Sequence, residues 1–154
     1  MNQLDKIDIQ LLEILQQEGR ITNKALADRM GLSTTPVFER MKKLEKTGVI
    51  KRYVALLDAK KINKNLVVFV FISLKNHTRS YLEKFVEESR LYNEVQEIYH
   101  IAGDFDYLLK ISTTDMDSFQ SFIISKLSIN SNIAHVKSQF ALSQDKHTTA
   151  YKLN

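Results

Sequence analysis

Apolar positions along the first third of the chain recur at helical spacing in three blocks, each opened by a capping residue and closed by a glycine signal. In the first, Leu4, Ile7, Leu11, Leu12, Ile14 and Leu15 share one face. Asp5 is a suitable N-cap, Asp8 falls in the first turn, and Leu4 can pack on Ile9 as a hydrophobic staple. Glu18-Gly19 ends the block, with the glycine expected in a left-handed conformation. In the second, Thr22 is the cap, Ile21 faces Leu26, and Ala25, Leu26 and Met30 are apolar. In the third, Ser33 is the cap and Leu32 faces Val37. Pro36 sits in the first turn, where no amide donor is needed. Val37, Met41 and Leu44 form its inward stripe, and Gly48 stops it. Met30-Gly31-Leu32-Ser33 is a tight helix–helix turn, so residues 22–45 are expected to form a helix-turn-helix.

After Gly48 the run Val49 to Leu57 is extended in character, and Asp58 to Asn65 is a polar, lysine-rich connection. From Leu66 the period changes to that of strands. Leu66 to Leu74 is a nearly unbroken β-branched and aromatic run, expected as a buried strand. Arg79 to Leu91 is helical, with Leu82, Phe85 and Val86 on one face. Glu94–Ala102 and Phe105–Thr113 are expected as strands joined at Gly103-Asp104. Asp115 can cap a helix reaching Leu127, and Ile133 to Ser143 completes the pattern. The fold class expected is α+β: an N-terminal winged helix-turn-helix (three helices plus a short strand) and a ferredoxin-like βαββαβ sandwich. The corresponding domains are 1–50, a connecting strand and linker at 51–65, and 66–154.

Charge sharpens this division. The net +4 of the 154-residue chain lies within residues 1–61, which carry twelve basic and eight acidic residues, while residues 62–154 carry ten of each. A basic module joined to a neutral one points to a polyanionic partner for the first. The chain has no cysteine, which removes disulfides and thiolate chemistry. No apolar run is long enough to cross a membrane, and Met1 to Asp5 lacks the features of a signal peptide; a cytoplasmic location is expected.

With Val37, Met41 and Leu44 inward, the outward or flanking residues of the third helix are Thr34, Thr35, Phe38, Glu39, Lys42 and Lys43. Outward residues near the start of such a helix reach base edges in the major groove. Thr34, Thr35 and Glu39 suit base contacts, Lys42 and Lys43 suit phosphates, and Ser33 opens a helix end that can take a phosphate oxygen. Arg40 either reaches phosphate or guanine or pairs with a nearby carboxylate. Local charge pairing is the favoured reading for Glu39 and Glu45. Thr22, Asn23 and Lys24, with Lys51 and Arg52, extend the rim. Double-stranded DNA is therefore the expected macromolecular partner. In the neutral half, Val67, Phe69 and Phe71 alternate with Val68, Val70, Ile72 and Leu74, giving the sheet two apolar faces. Two helices cover one of them, so a homodimer through the other is expected.

These blocks are similar to the Lrp/AsnC family of transcription regulators over essentially the whole chain. The matching residues are Leu4-Asp5-Lys6-Ile7-Asp8, Gly19-Arg20-Ile21-Thr22-Asn23, Leu26-Ala27, Gly31-Leu32-Ser33, Thr35-Pro36-Val37, Glu39-Arg40, Leu44-Glu45, Gly48-Val49-Ile50 and Gly103 to Lys110. Met41, Thr34 and the polar stretch Ser138 to Ser143 depart from the usual pattern, and the last leaves the effector's identity open. The resemblance implies regulation by a small amino acid bound between dimers of a tetramer or octamer. It maps that site onto Gly103, Asp104, Asp106, Tyr107, Ser138 and Gln139. Read from the residues alone, the same turn needs glycine and aspartate only for its geometry. No cofactor and no metal are expected, since His77, His100, His135 and His147 lack ligand spacing, and no enzyme motif is present. The alternatives are a DNA-free amino-acid sensor and a tetrapyrrole decarboxylase of the same architecture employing His100. Both leave the basic third helix unexplained.

Overall fold

The structure, a computed structural model, describes residues 4–153 and divides into two compact units. Met1 to Gln3, which carry part of the N-terminal reading, lie outside the described residues.

The first unit runs to Leu56. Helix α1 (Lys6–Gln17) begins with a reciprocal capping box: the Asp5 carboxylate accepts from the Asp8 amide at 2.8 Å, and the Asp8 carboxylate accepts from the Asp5 amide at 3.4 Å. These bonds satisfy amides that the first helical turn leaves without carbonyl partners. Helix α2 (Asn23–Met30) is capped by the Thr22 hydroxyl, which accepts from the Ala25 amide at 3.2 Å. It ends at Gly31, whose φ of +66° turns the chain toward helix α3 (Thr34–Lys46). Leu11, Leu12, Leu15, Leu26, Ala27, Val37 and Leu44 form the core where the three helices meet. Burial of each large aliphatic side chain there contributes roughly 1.5–3 kcal/mol.

Arg40 locks this arrangement. Its Nη1 lies 2.6 Å from Asp5 Oδ2 and 2.6 Å from Asp8 Oδ1, joining the middle of α3 to the start of α1. Asp8 is almost fully buried, at 2% exposure. Of the two readings open for Arg40, the carboxylate pair is the one adopted.

Three sequence expectations are altered here. Gly19 is not among the left-handed glycines, which are Gly31, Gly48 and Gly103; α1 instead closes at Glu18, which takes the non-helical backbone. The short strand expected after Gly48 is extended chain without a ladder partner among the described residues, and Val54 and Leu56 are exposed. The chain end also leaves the expected 66–154 unit, since residues from Lys146 onward cluster with the helices. There the Tyr151 amide donates to Gln16 Oε1 at 2.6 Å, Gln16 Nε2 donates to the Tyr151 carbonyl at 3.0 Å, and Leu153 packs on the core.

The second unit spans Leu57–Asp145. It contains β1 (Leu66–Leu74), α4 (Arg79–Arg90), β2 (Val95–His100), β3 (Tyr107–Thr113), α5 (Met116–Phe122) and β4 (Ile133–Phe140). The strands form one antiparallel sheet in the order β2-β3-β1-β4, which is the expected βαββαβ sandwich. The last helix is shorter than expected: α5 passes at Ile123 into a π-helical turn ending at Leu127. Val68, Val70, Ile72 and Leu74 join Leu109, Ile111, Phe85, Phe119 and Phe122 in the core on the helix side. Phe69, Phe71 and Leu108 alternate onto the other face.

Two outcomes follow from the Arg40 lock. Arg40→Met leaves a buried carboxylate without its strongest donor and should lower unfolding stability by about 2–3 kcal/mol in urea titration. The Asp8 amide, and then Arg40, hold the Asp5 carboxyl below its ordinary 3.8. The unfolded chain therefore takes up this proton first. The stabilisation is whole above that value and is lost as pH falls through the lower folded value. Asp5→Asn should flatten the loss of thermal stability measured from about pH 4 to pH 2.

Candidate nucleic-acid interface and effector turn

Helix α3 turns Val37 and Leu44 into the core and leaves Thr34, Thr35, Glu39, Lys42 and Lys43 exposed. Phe38, 38% exposed, lies beneath the Lys42 ammonium, which sits 4.5 Å from the ring centroid. This cation–π contact orients the lysine along the outer face. Ser33 has the extended backbone of an N-cap, but its hydroxyl makes no cap bond. The hydroxyl and the first amides of α3 are thus available to an oxyanion, where the helix dipole favours negative charge.

The rim residues divide by local duty. Thr22 spends its hydroxyl acceptor on capping α2, Asn23 is half-buried beside it, and Lys24 is exposed. Lys51 and Arg52 are exposed on the extended segment after α3. Lys24, Lys42, Lys43, Lys51 and Arg52 form no ion pair among the described residues, whereas Arg29 is matched to Glu18 at 2.8 Å. Glu45 accepts from the Tyr53 hydroxyl at 3.0 Å rather than from a lysine. Burial and then this bond push the Tyr53 phenol up to about 12, so it stays a donor at neutral pH and ties the extended segment to the end of α3. Glu39 is exposed and unpaired among the described residues, where local charge pairing was expected.

At the β2–β3 turn, Gly103 has φ +124°, a conformation that a side chain disfavours. Asp104 is exposed, and its carbonyl accepts from the Ser73 hydroxyl at 3.1 Å. Asp106 is already engaged. Its Oδ2 accepts from the Leu74 amide at 2.7 Å and lies 3.1 Å from His77 Nε2, and its own amide donates to the Ile72 carbonyl. Tyr107 is core, 3% exposed, with its ring 4.8 Å from Phe85. Ser138 and Gln139 on β4 pair with Val70 and Phe69 of β1, so they project to opposite faces. They lie two strands from β3, about 10 Å away. One chain thus gathers Gly103, Asp104 and Asp106 at the turn and leaves Ser138 and Gln139 apart. The commitment of Asp106 to Leu74 escaped the sequence reading, because its partner is thirty-two residues away.

Among the described residues there is no group of three His, Asp or Glu side chains that could hold a metal, and no helix is long and apolar enough to cross a membrane.

Comparison with known proteins agrees with both halves. Residues 4–51 match the winged helix-turn-helix DNA-binding model, and residues 67–151 match the Lrp/AsnC ligand binding domain. The chain is 37% identical over 144 residues to the leucine-responsive regulatory protein of Rhizobium meliloti, covering 94% of this chain and 92% of that one. It is 37% identical to the DNA-binding transcriptional activator DecR of Escherichia coli, covering 96% and 97%. A transcriptional regulator of Neisseria meningitidis, crystallised as a complex with L-methionine, superposes with a TM-score of 0.93 at 36% identity, covering 99% and 98%. These relatives are regulators rather than enzymes. With its helix-turn-helix, its basic outer helix face and its four-stranded sandwich, the chain belongs to the Lrp/AsnC family of DNA-binding transcription regulators.

Proposed function

We propose that this regulator grips double-stranded DNA through α3, pairs with a second copy through the open face of its sheet, and responds to a small amino acid at the Gly103-Asp104 turn. The observation that carries the reading is the outer face of α3. Its exposed hydroxyls stand at an uncapped helix start, and unpaired lysines stand along its length. Thr34 and Thr35, with Glu39, are assigned to base edges, since they lead the helix. Ser33, Lys42 and Lys43 on α3, and Thr22, Asn23, Lys24, Lys51 and Arg52 around it, are assigned to the backbone, which sets register. Arg40 is assigned to the protein's own framework. The location is the cytoplasm, where DNA of cells like those of its bacterial relatives lies.

The dimer reading rests on Phe69, Phe71 and Leu108 on a face that no helix of this unit covers. Phe105 extends the apolar patch, its ring 5.4 Å from that of Phe71. For the effector, support comes from the L-methionine held by the Neisseria relative and from the chemistry of the turn. The exposed Asp104 carboxylate can meet an ammonium group, and turn amides can meet a carboxylate. Because Ser138 and Gln139 stand apart from the turn in one chain, the complete site forms between copies, in a tetramer or octamer.

Binding to operator DNA, followed by fluorescence anisotropy, should weaken steeply with salt, and Lys43→Ala should lower the slope by about one for all sequences. Thr35→Ala should instead cost about 1–3 kcal/mol on the preferred site alone. Affinity that hardly changes with salt would contradict the α3 assignment. In calorimetry, one of the standard amino acids should bind wild type and fail with Asp104→Ala. Phe71→Glu should sediment as a monomer and lose that heat. A monomeric variant with unchanged heat would remove the intersubunit site.

A further inference from the structure

We propose that the groove between α4 and the outer edge of β2 is a ligand site for a small aliphatic carboxylate. In it, Arg90 and His100 hold the acid group, and Val86, Val95 and Ile98 hold the chain. Its lining shares Tyr107 with the residues mapped to the effector turn but includes none of Gly103, Asp104 and Asp106, and it does not depend on the reading of that turn.

The groove is open to solvent and offers about 500 Å³, within the range of small-molecule sites. Arg90 stands in the last turn of α4 and lines it. Several cations of this unit are matched: Arg79 to Glu83, Lys110 to Glu97 and Lys126 to Glu94. The Arg90 side chain forms no ion pair or hydrogen bond among the described residues, so its planar fork of donors is open to a carboxylate. His100 lines the same groove, and its ring stacks on Tyr107 at 4.8 Å and 21°. Tyr107 is itself fixed in the core, so the imidazole is held in one plane with its nitrogens at the ring edge. The strand adds a donor. The Ile101 amide bonds inward to Asp106, and the antiparallel alternation then points the His100 amide out of the free edge of β2.

The lining also selects against one ligand class. Its remaining polar side chains are the uncharged Gln96 and Tyr107, and no carboxylate lines the groove. An α-ammonium group would stand near the Arg90 guanidinium with no carboxylate in the lining to offset the repulsion. An acid lacking the amino group is therefore favoured over the amino acid of the same skeleton. The groove is on the helix-covered side of the sheet, so pairing through the opposite face leaves it open.

The test titrates the full-length protein with isocaproate, with leucine (the same skeleton bearing an amino group) and with isocaproamide, by calorimetry and by NMR of the His100 and Tyr107 rings. Isocaproate should bind saturably and shift both rings, leucine should shift them at least tenfold more weakly, and the amide should not shift them. Arg90→Gln, at an exposed position, should keep wild-type thermal unfolding and weaken isocaproate about tenfold. Asp104→Ala should leave isocaproate binding unchanged. No saturable shift up to roughly 10 mM overturns the site, as does binding that persists in Arg90→Gln or disappears in Asp104→Ala. Failure of amino-acid binding at the turn leaves this result untouched.

Discussion

A buried carboxylate has few ways to remain in an apolar core, and Asp8 uses two of them at once. It accepts the amide that opens α1 and the guanidinium that crosses from α3. Removing either leaves charge without compensation, so the angular setting of α3 on α1 is fixed by chemistry as much as by packing. With Arg40 pinned inward between Val37 and Leu44, the helical period leaves Thr34, Thr35, Glu39, Lys42 and Lys43 to face outward. The outer face proposed to meet DNA is thus set by one arginine that is turned toward α1. A single guanidinium nitrogen, Nη1, serves both carboxylates, so the lock depends on the reach of the side chain rather than on a bidentate fork.

The parts legible in the sequence were those governed by short range. Asp5 and Thr22 cap helices through amides three residues away, and β1 spans the nine residues that its composition marks. Gly103 announces a positive φ before any partner is known. What stayed hidden were choices among chemically equivalent partners far apart in the chain. Nothing in Arg40 selects Asp5 and Asp8 over phosphate. Asp106 and Asp104 read alike, yet one caps the end of β1 and the other stands in solvent. The family resemblance mapped Tyr107 to the effector site, and register with Ile72 turned it into the core. Ser33 shows the opposite error, a favourable residue at a cap whose hydroxyl takes no bond.

The tail from Lys146 belongs with these hidden choices, because its composition gives no sign of a destination. The Gln16 side-chain amide meets both polar groups of the Tyr151 backbone, and Leu153 adds apolar contact. Each such bond is worth about 0.5–1.5 kcal/mol, enough to hold the segment without making it permanent. The chain accordingly passes between the two units twice, once after Leu56 and again after Asp145.

Within the sandwich, the two sides of the sheet face different demands. The central strands β1 and β3 bury Val70, Ile72, Leu109 and Ile111 completely beneath α4 and α5. The outer strand β2 has no neighbour beyond it among the described residues, and α4 ends near it with a charged turn. Cover therefore thins where a free strand edge, an unmatched guanidinium and a stacked imidazole come together. On the opposite side, aromatic rings stand with no helix above them. One side has apolar surface in need of a broad partner, and the other has a small basic recess. A flat apolar face suits a second sheet, whereas a recess with one cation and no anion suits a molecule of a few atoms. The architecture can thus separate assembly from ligand recognition by placing them on opposite faces of the same four strands.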